Sequence, residues 1–372
     1  MHVVHVYKDY PPVVGGIEHH LQLLAERQVR RGLRVTVLVT SRERHTSLRQ
    51  ENGVEVIRAA RLAEIASTPL SLALVARLRS LSPDIVHLHF PYPLGEVAQL
   101  LSRRGLALVV TYHSDIVRQR WLGALYRPLA RRLLQRADRI LPTSEAYLQT
   151  SKVLAACRTR ATVVPLGIET ARFANPDPEG VAALGQRWPG PHILFVGRLR
   201  YYKGIEVLIE AVERLEATLL IVGDGPMADP WRQRAAAGPA AQRIHFLGEV
   251  PEGELPLYYA AADVFALPSS QRSEAFGLAQ LEAMAAGTPV VSTELGTGTS
   301  FVNRHGETGL VVPPGEATAL AAALDELLSD DAKRRAMGQN ARDRAGQEFD
   351  ADRMVERVLE IYDEVLDSSG VS

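Results

Sequence analysis

Two carboxylates, Glu274 and Glu282, stand with seven residues between them in a segment, 273–290, that reads mostly as helix. A helix rises about 1.5 Å per residue, which puts the two acids roughly 12 Å apart. Carboxylates that flank one glycosidic bond need a separation of roughly 5–9.5 Å. The spacing therefore excludes a paired acid and base and suits two acids holding opposite ends of one long ligand. Between them the amides of Phe276, Gly277 and Leu278 would open the helix, where free N–H groups and the helix dipole favour an anion. A sugar at one end, a phosphate in the middle and a ribose at the other would fill such an arrangement.

A second cluster supplies cations. In Phe195-Val196-Gly197-Arg198-Leu199-Arg200-Tyr201-Tyr202-Lys203-Gly204 a strand ends at glycine, and Arg198 and Lys203 follow in the loop before a helix. Arginine offers phosphate a bidentate fork and lysine a compact point charge. Either alone reads as a solvated loop charge; together at a strand's carboxyl end they point to phosphate. Val222-Gly223-Asp224-Gly225-Pro226 is a further strand-to-loop turn. No Walker A loop occurs, and no G-x-G-x-x-G follows the first strand, which argues against a phosphate-cradling NTPase and a dinucleotide oxidoreductase. Asp350-Ala351-Asp352 matches a short D-x-D metal pattern but opens the terminal helix, where acids serve the dipole and the cap. His19-His20 and His87-Leu88-His89 lack further ligands at useful spacing, so no metal is expected.

Positioning these residues requires alternating strands and helices. Apolar runs at 3–7, 34–39, 84–89, 107–112, 139–142 and 162–165 read as strands in the first half. Those at 192–197, 218–222, 243–246, 264–267, 289–292 and 309–312 repeat the plan, and helical periodicity fills the gaps, as at 18–31 after the Gly15-Gly16 turn. The pattern implies an α/β protein of parallel sheets covered on both faces, with ligands at the strands' carboxyl ends. The expected organisation is a Rossmann-like domain at 1–170, a linker at 171–190 rich in proline and glycine, a second Rossmann-like domain at 191–350, and a C-terminal helix at 351–372.

Taken together the residues resemble the retaining glycosyltransferases of family 4, over nearly the whole chain. The marks are Gly15-Gly16-Ile17-Glu18, the Arg198/Lys203 loop and the Glu-x7-Glu element at Glu274 and Glu282. Three further stretches are similar to bacterial mannosyltransferases of O-antigen and exopolysaccharide assembly: residues 5–10, 111–119 and 294–303. The resemblance implies a GT-B fold, two Rossmann-like domains with parallel sheets facing across a cleft. It also implies a nucleotide-sugar donor used as substrate, GDP-mannose in this subgroup, a glycan or lipid-diphosphate-linked acceptor, no cofactor, and attack on the donor's front face with the leaving phosphate as base. Arg198 and Lys203 would grip the diphosphate, Glu274 would lie beside the transferred sugar, and Glu282 would hold the ribose hydroxyls. Gly16 would let backbone approach the diphosphate, and His113 would face the sugar. Where the family often carries Pro-Asn-Gly-Val-Asp, this chain has Pro165-Leu166-Gly167-Ile168-Glu169, so any polar role at Leu166 is unfilled. A UDP-sugar donor and a non-catalytic scaffold remain as alternatives.

Composition agrees with a globular protein. The chain has 372 residues, 46% hydrophobic and 23% charged, with no apolar run long enough to span a bilayer. One cysteine, Cys157, excludes an internal disulfide and fits a reducing cytoplasm. The net charge of −1 hides an asymmetry, +11 over residues 1–190 and −12 over the remainder. The stretch 117–139 interleaves Arg118, Arg120, Arg127, Arg131, Arg132, Arg136 and Arg139 with apolar residues. It reads as a helix with one side on the core or as a basic amphipathic helix docking on the anionic inner membrane face. No nucleic-acid partner is expected.

Overall fold

The computed structural model describes all residues except 14, 66–67, 103–105, 116–119 and 370–372, and except the side chains of 65, 68, 120–125, 127 and 369. Strands β1 (His2–Val6), β2 (Arg34–Thr40), β3 (Ser47–Glu51) and β4 (Val54–Ala59) come first, followed by a small hairpin of β5 (Ala63–Ile65) and β6 (Thr68–Leu70). Then come β7 (Ile85–Phe90), β8 (Ala107–Tyr112) and β9 (Arg139–Pro142). Seven of them form one sheet in the order β3-β4-β2-β1-β7-β8-β9, parallel except for the β3–β4 edge. Strands β7 and β8 are buried along their whole length, as apolar runs between two helical layers must be.

The second sheet is built from β10 (His192–Val196), β11 (Thr218–Val222), β12 (Ile244–Gly248), β13 (Val264–Leu267), β14 (Val290–Thr293) and β15 (Gly309–Val312). Its order is β12-β11-β10-β13-β14-β15, with every pairing parallel. The chain winds outward from β10 in one direction and then from β13 in the other. The strand order therefore reverses between β10 and β13, which is where doubly wound sheets bind ligands. Each sheet has its own apolar core: Val3, Leu24, Ile85 and Val109 in the first, Phe195, Ile205, Leu219 and Leu324 in the second.

Four expectations change. The chain divides into residues 1–167 with 351–372, and residues 168–350. The proposed linker is largely helical, at Thr170–Ala174 and Pro178–Gln186, and groups with the second unit. Proline at the first turn and Asp177, whose side chain accepts from the amides of Glu179 and Gly180, start that second helix where the composition suggested only a break. The C-terminal helix Ala351–Ser369 returns to the first unit, burying Met354, Val355, Val358, Ile361, Tyr362 and Val365 beside β1, β7 and β8. Residues 162–165 form no strand, although the amides of Thr162 and Val164 donate to the carbonyls of Ile140 and Pro142 beside an isolated bridge between Ile140 and Ala161.

Candidate functional site

The loops after β10, β13 and β14 carry the candidate residues of the second unit. A short turn, Tyr201–Lys203, follows β10 and ends at Gly204 with φ of 68°. A Cβ there would sit 2.0 Å from the Pro268 carbonyl oxygen, so only glycine lets the loop close on the end of β13. This closure sets Lys203 against Glu274. The Lys203 Nζ lies 2.6 Å from a Glu274 carboxylate oxygen, and both side chains are about nine-tenths buried. Burial alone would push the Lys203 pKa down, but the Glu274 carboxylate, with Tyr202, leaves it raised, so the ammonium is held charged.

Glu274 is fixed from several directions. Ser269 Oγ donates to the same carboxylate oxygen at 3.0 Å, and Thr297 Oγ1 donates to the Glu274 carbonyl at 2.8 Å. The Gly298 amide donates to the Ala275 carbonyl at 2.7 Å. A Cβ on Gly298 would lie 2.5 Å from the Phe276 ring, which accounts for glycine in that loop. The helix itself runs Leu278–Ala286, with Gly277 before it at φ of 78°. Glu274 thus lies in the loop ahead of the helix, and the helical ruler between the two acids covers only its second half. Among the described residues, no backbone carbonyl accepts from the amides of Phe276, Gly277 and Leu278. Arg198 is exposed and forms no ion pair among the described residues. The loops that carry Arg198, Lys203 and the open amides leave β10 and β13, the two strands between which the sheet order reverses, an arrangement suited to a diphosphate.

Glu282 lies on the helix and is half-buried. The Tyr259 hydroxyl donates to its Oε2 at 2.6 Å. Burial raises its pKa to about 7, opposed by the Tyr259 bond and Arg172. It is an acid that titrates near neutrality, not the plain carboxylate implied by the sequence. Tyr259 and Thr297 escaped the sequence reading because each meets its glutamate from 23 residues away, across an intervening strand, and Ser269 because nothing in the loop it shares with Glu274 marks the contact.

Gly16 and His113 belong to the first unit. Gly16 opens the helix Gly16–Arg30. A Cβ on the preceding Gly15 would lie 2.1 Å from a Glu18 carboxylate oxygen, the far end of a flexible side chain. His113 follows β8, its amide donating to the Phe90 carbonyl at 3.0 Å. Its ring is buried, and burial lowers its pKa to about 3. The fold corrects the view that the histidines are isolated. In the β1–β7 register His5 faces His87, and His87 and His89 share a face of β7. Ligating atoms of His20, His89 and His113 lie within 4.8 Å of one another, as do those of His5, His87 and His89. Asp350 accepts from the Thr170 hydroxyl at 2.6 Å, and Asp352 meets Arg27 and Arg31 at the start of the last helix. These roles are structural.

The basic stretch forms the helix Arg120–Arg136, although residues 117–119 and several of its side chains lie outside the described set. Ala130, Leu133, Leu134 and Ala137 are buried, while Arg131 and Arg132 are exposed. No helix among the described residues is long and apolar enough to cross a membrane.

Residues 14–172 match the family model described as Glycosyltransferase Family 4, and residues 183–344 match that described as Glycosyl transferases group 1. The chain is 36% identical to the O-antigen chain mannosyltransferase C of Escherichia coli, over 99% of the chain and 100% of that protein. The chain belongs to glycosyltransferase family 4. This glycosyltransferase is also 38% identical to the D-rhamnosyltransferase WbpZ of Pseudomonas aeruginosa, over 94% of its own length and 93% of the relative's. Its structure matches sucrose-phosphate synthase from Thermosynechococcus elongatus with a TM-score of 0.83 at 25% identity, covering 99% of both chains. WaaG, a glycosyltransferase involved in lipopolysaccharide biosynthesis, matches with a TM-score of 0.72 at 20% identity, covering 97% of this chain and 99% of the other. The fold of this glycosyltransferase is GT-B, built from two Rossmann-like units as the sequence implied.

Proposed function

We propose that this glycosyltransferase transfers mannose from GDP-mannose, with retention, to a saccharide acceptor in the assembly of a bacterial surface polysaccharide. The observation that carries the reading is the Lys203–Glu274 pair, 2.6 Å apart where the sheet order reverses. The name of the 36% identical relative supports mannose and O-antigen. The 38% identical relative, named for D-rhamnose, keeps a second sugar in the test.

In this reading Arg198 and Lys203 meet the donor diphosphate, with the open amides at 276–278 beside it. As the bond from the anomeric carbon to the phosphate oxygen breaks, negative charge gathers on the leaving phosphate. Fixed cations there act mainly on the transition state and so raise turnover. The acceptor hydroxyl attacks from the same face and its proton passes to the departing phosphate oxygen. Glu274 holds Lys203 in place and offers its carboxylate to the sugar, and Glu282 takes the ribose. Both cations come from the protein, so turnover is expected to survive EDTA; loss of activity restored by a divalent ion would overturn that part.

A panel of nucleotide sugars, read by release of free nucleotide, tests the whole reading. GDP-mannose is expected to be turned over fastest, and Glu274→Gln and Lys203→Ala to lose transfer. Preference for a UDP-sugar would replace the donor, and absence of turnover with every donor would favour a scaffold. Exposed Arg131 and Arg132 support contact with anionic lipid; equal recovery on neutral and anionic vesicles at low salt would remove that element.

A further inference from the structure

Glu274 closes a short loop that leaves β13, and that loop is tied to its neighbours on both sides. The Ser270 amide donates to the Tyr202 carbonyl at 2.8 Å, which joins it to the loop after β10. On the other side Thr293 Oγ1, at the end of β14, donates to the Ser269 carbonyl. Arg272 Nη1 donates to the Gly296 carbonyl at 2.7 Å, in the loop that follows. The Glu274 amide completes a turn on the Gln271 carbonyl at 3.0 Å. Ser269 therefore sits at a fixed point between three loops of the second unit, and its side chain is buried.

The side-chain contacts of Glu274 are one-sided. Oε2 takes both donors, Lys203 Nζ at 2.6 Å and Ser269 Oγ at 3.0 Å. Oε1 takes none among the described residues. The two donors act differently. An ammonium is a point charge with three rotatable N–H groups on a flexible stem, so it follows whichever oxygen comes nearest. The last torsion of a glutamate is broad and two-fold, so the ion pair by itself leaves the carboxylate plane free to turn. The Ser269 hydroxyl has one proton and an anchored backbone. An ionised carboxylate only accepts, so that proton goes to Oε2. Two contacts on one oxygen fix the plane and leave Oε1 uncommitted.

We propose that Ser269 is a positioning residue. Its hydroxyl, anchored between the loops after β10 and β14, holds the Glu274 carboxylate with Oε2 on Lys203 and Oε1 open to the transferred sugar. The inference rests on the reading of Glu274 as the acid beside that sugar, and adds the group that sets its orientation. The consequence falls on rate. As the bond to the phosphate breaks, positive charge grows at the anomeric carbon. A carboxylate oxygen fixed beside the sugar stabilises that charge more in the transition state than in the ground state. A carboxylate free to turn loses this advantage, whereas the diphosphate contacts at Arg198 and the open amides are made by other groups.

Ser269→Ala tests the assignment. The variant leaves no carboxylate oxygen stranded, because Oε2 keeps Lys203, so Tm is expected to change little. With the nucleotide sugar the enzyme prefers, kcat should fall about tenfold, the worth of one hydrogen bond to a charged group, with the donor KM within about twofold of wild type. GDP, which lacks the sugar, should bind the variant as it binds the wild type in calorimetric titration. An unchanged kcat would overturn the proposal. So would a loss carried by KM and GDP affinity together, which would mark Ser269 as shaping the loops alone. If the alanine variant does not fold, Ser269→Cys keeps the shape with a weaker donor. There kcat should fall by about threefold, and an unchanged value again overturns the assignment. A wild-type enzyme that turns over no nucleotide sugar would overturn the proposed function instead, so the two failures are told apart.

Discussion

Lys203 and Glu274 are each tolerable in their buried positions only because of the other. Removing one partner of a buried pair leaves an uncompensated charge, which costs about 3–5 kcal/mol. Lys203→Ala is accordingly expected to lower stability to urea denaturation by about 3 kcal/mol as well as to abolish transfer. Glu282 makes a different prediction, through pH. Its pKa in the unliganded protein is raised to about 7 by burial, so below that value the group is largely protonated. In the proposed reading the ribose hydroxyls would donate to the ionised form. Binding of a nucleoside diphosphate should therefore release a proton at about pH 6 and weaken there relative to about pH 8. Calorimetric titration of GDP at the two pH values would show it, and Glu282→Gln should remove the difference.

At the scale of elements, function depends on how closely loops approach one another at the carboxyl ends of the second sheet. Gly204 and Gly223 both have positive φ, and a Cβ on Gly223 would lie 2.2 Å from the Gly197 carbonyl oxygen. These contacts bring the β10 loop, with Arg198 and Lys203, down onto the neighbouring strands. Gly204→Ala would combine an unfavourable backbone region with a clash against backbone at Pro268, an effect of about 1–3 kcal/mol from the conformation alone. The expected outcome is a lower Tm together with a higher donor KM, because Lys203 shifts with the loop. A normal KM at reduced Tm would separate the loop's shape from its role in binding.

On the scale of the whole molecule, the C-terminal helix completes the first unit's core after the chain has built the second. Ile361 is fully buried there. Ile361→Ala should cost about 2–4 kcal/mol. Hydrogen exchange is expected to place the loss in residues 1–167 and 351–369, with 168–350 protected as before. Loss spread evenly over both units would show that they unfold as one. The same helix carries Tyr362, so the segment that finishes the core also brings a hydroxyl to within 3.2 Å of the Gln28 side-chain nitrogen and 2.5 Å of His87 Nδ1.

The order of strands and helices and the two Rossmann-like units were legible in the chain because they follow from local periodicity, whereas Arg198, Lys203, Glu274, Glu282, Gly16 and His113 were expected at the site from short motifs and from the family resemblance. Alternation of apolar runs with amphipathic stretches leaves few ways to bury them other than parallel sheets covered by helices. Tertiary structure alone decided what each residue faces. It set Glu274 in a loop against Lys203, turned Glu282 into a weak acid under Tyr259, made helices of the expected linker, and returned the last helix to the first core. It also drew His5, His20, His87, His89 and His113, from four separate segments, into one buried cluster. Hydrogen-bond partners and pKa values depend on distances between strands that lie far apart in sequence, and those distances exist only once β1, β7 and β8 have paired.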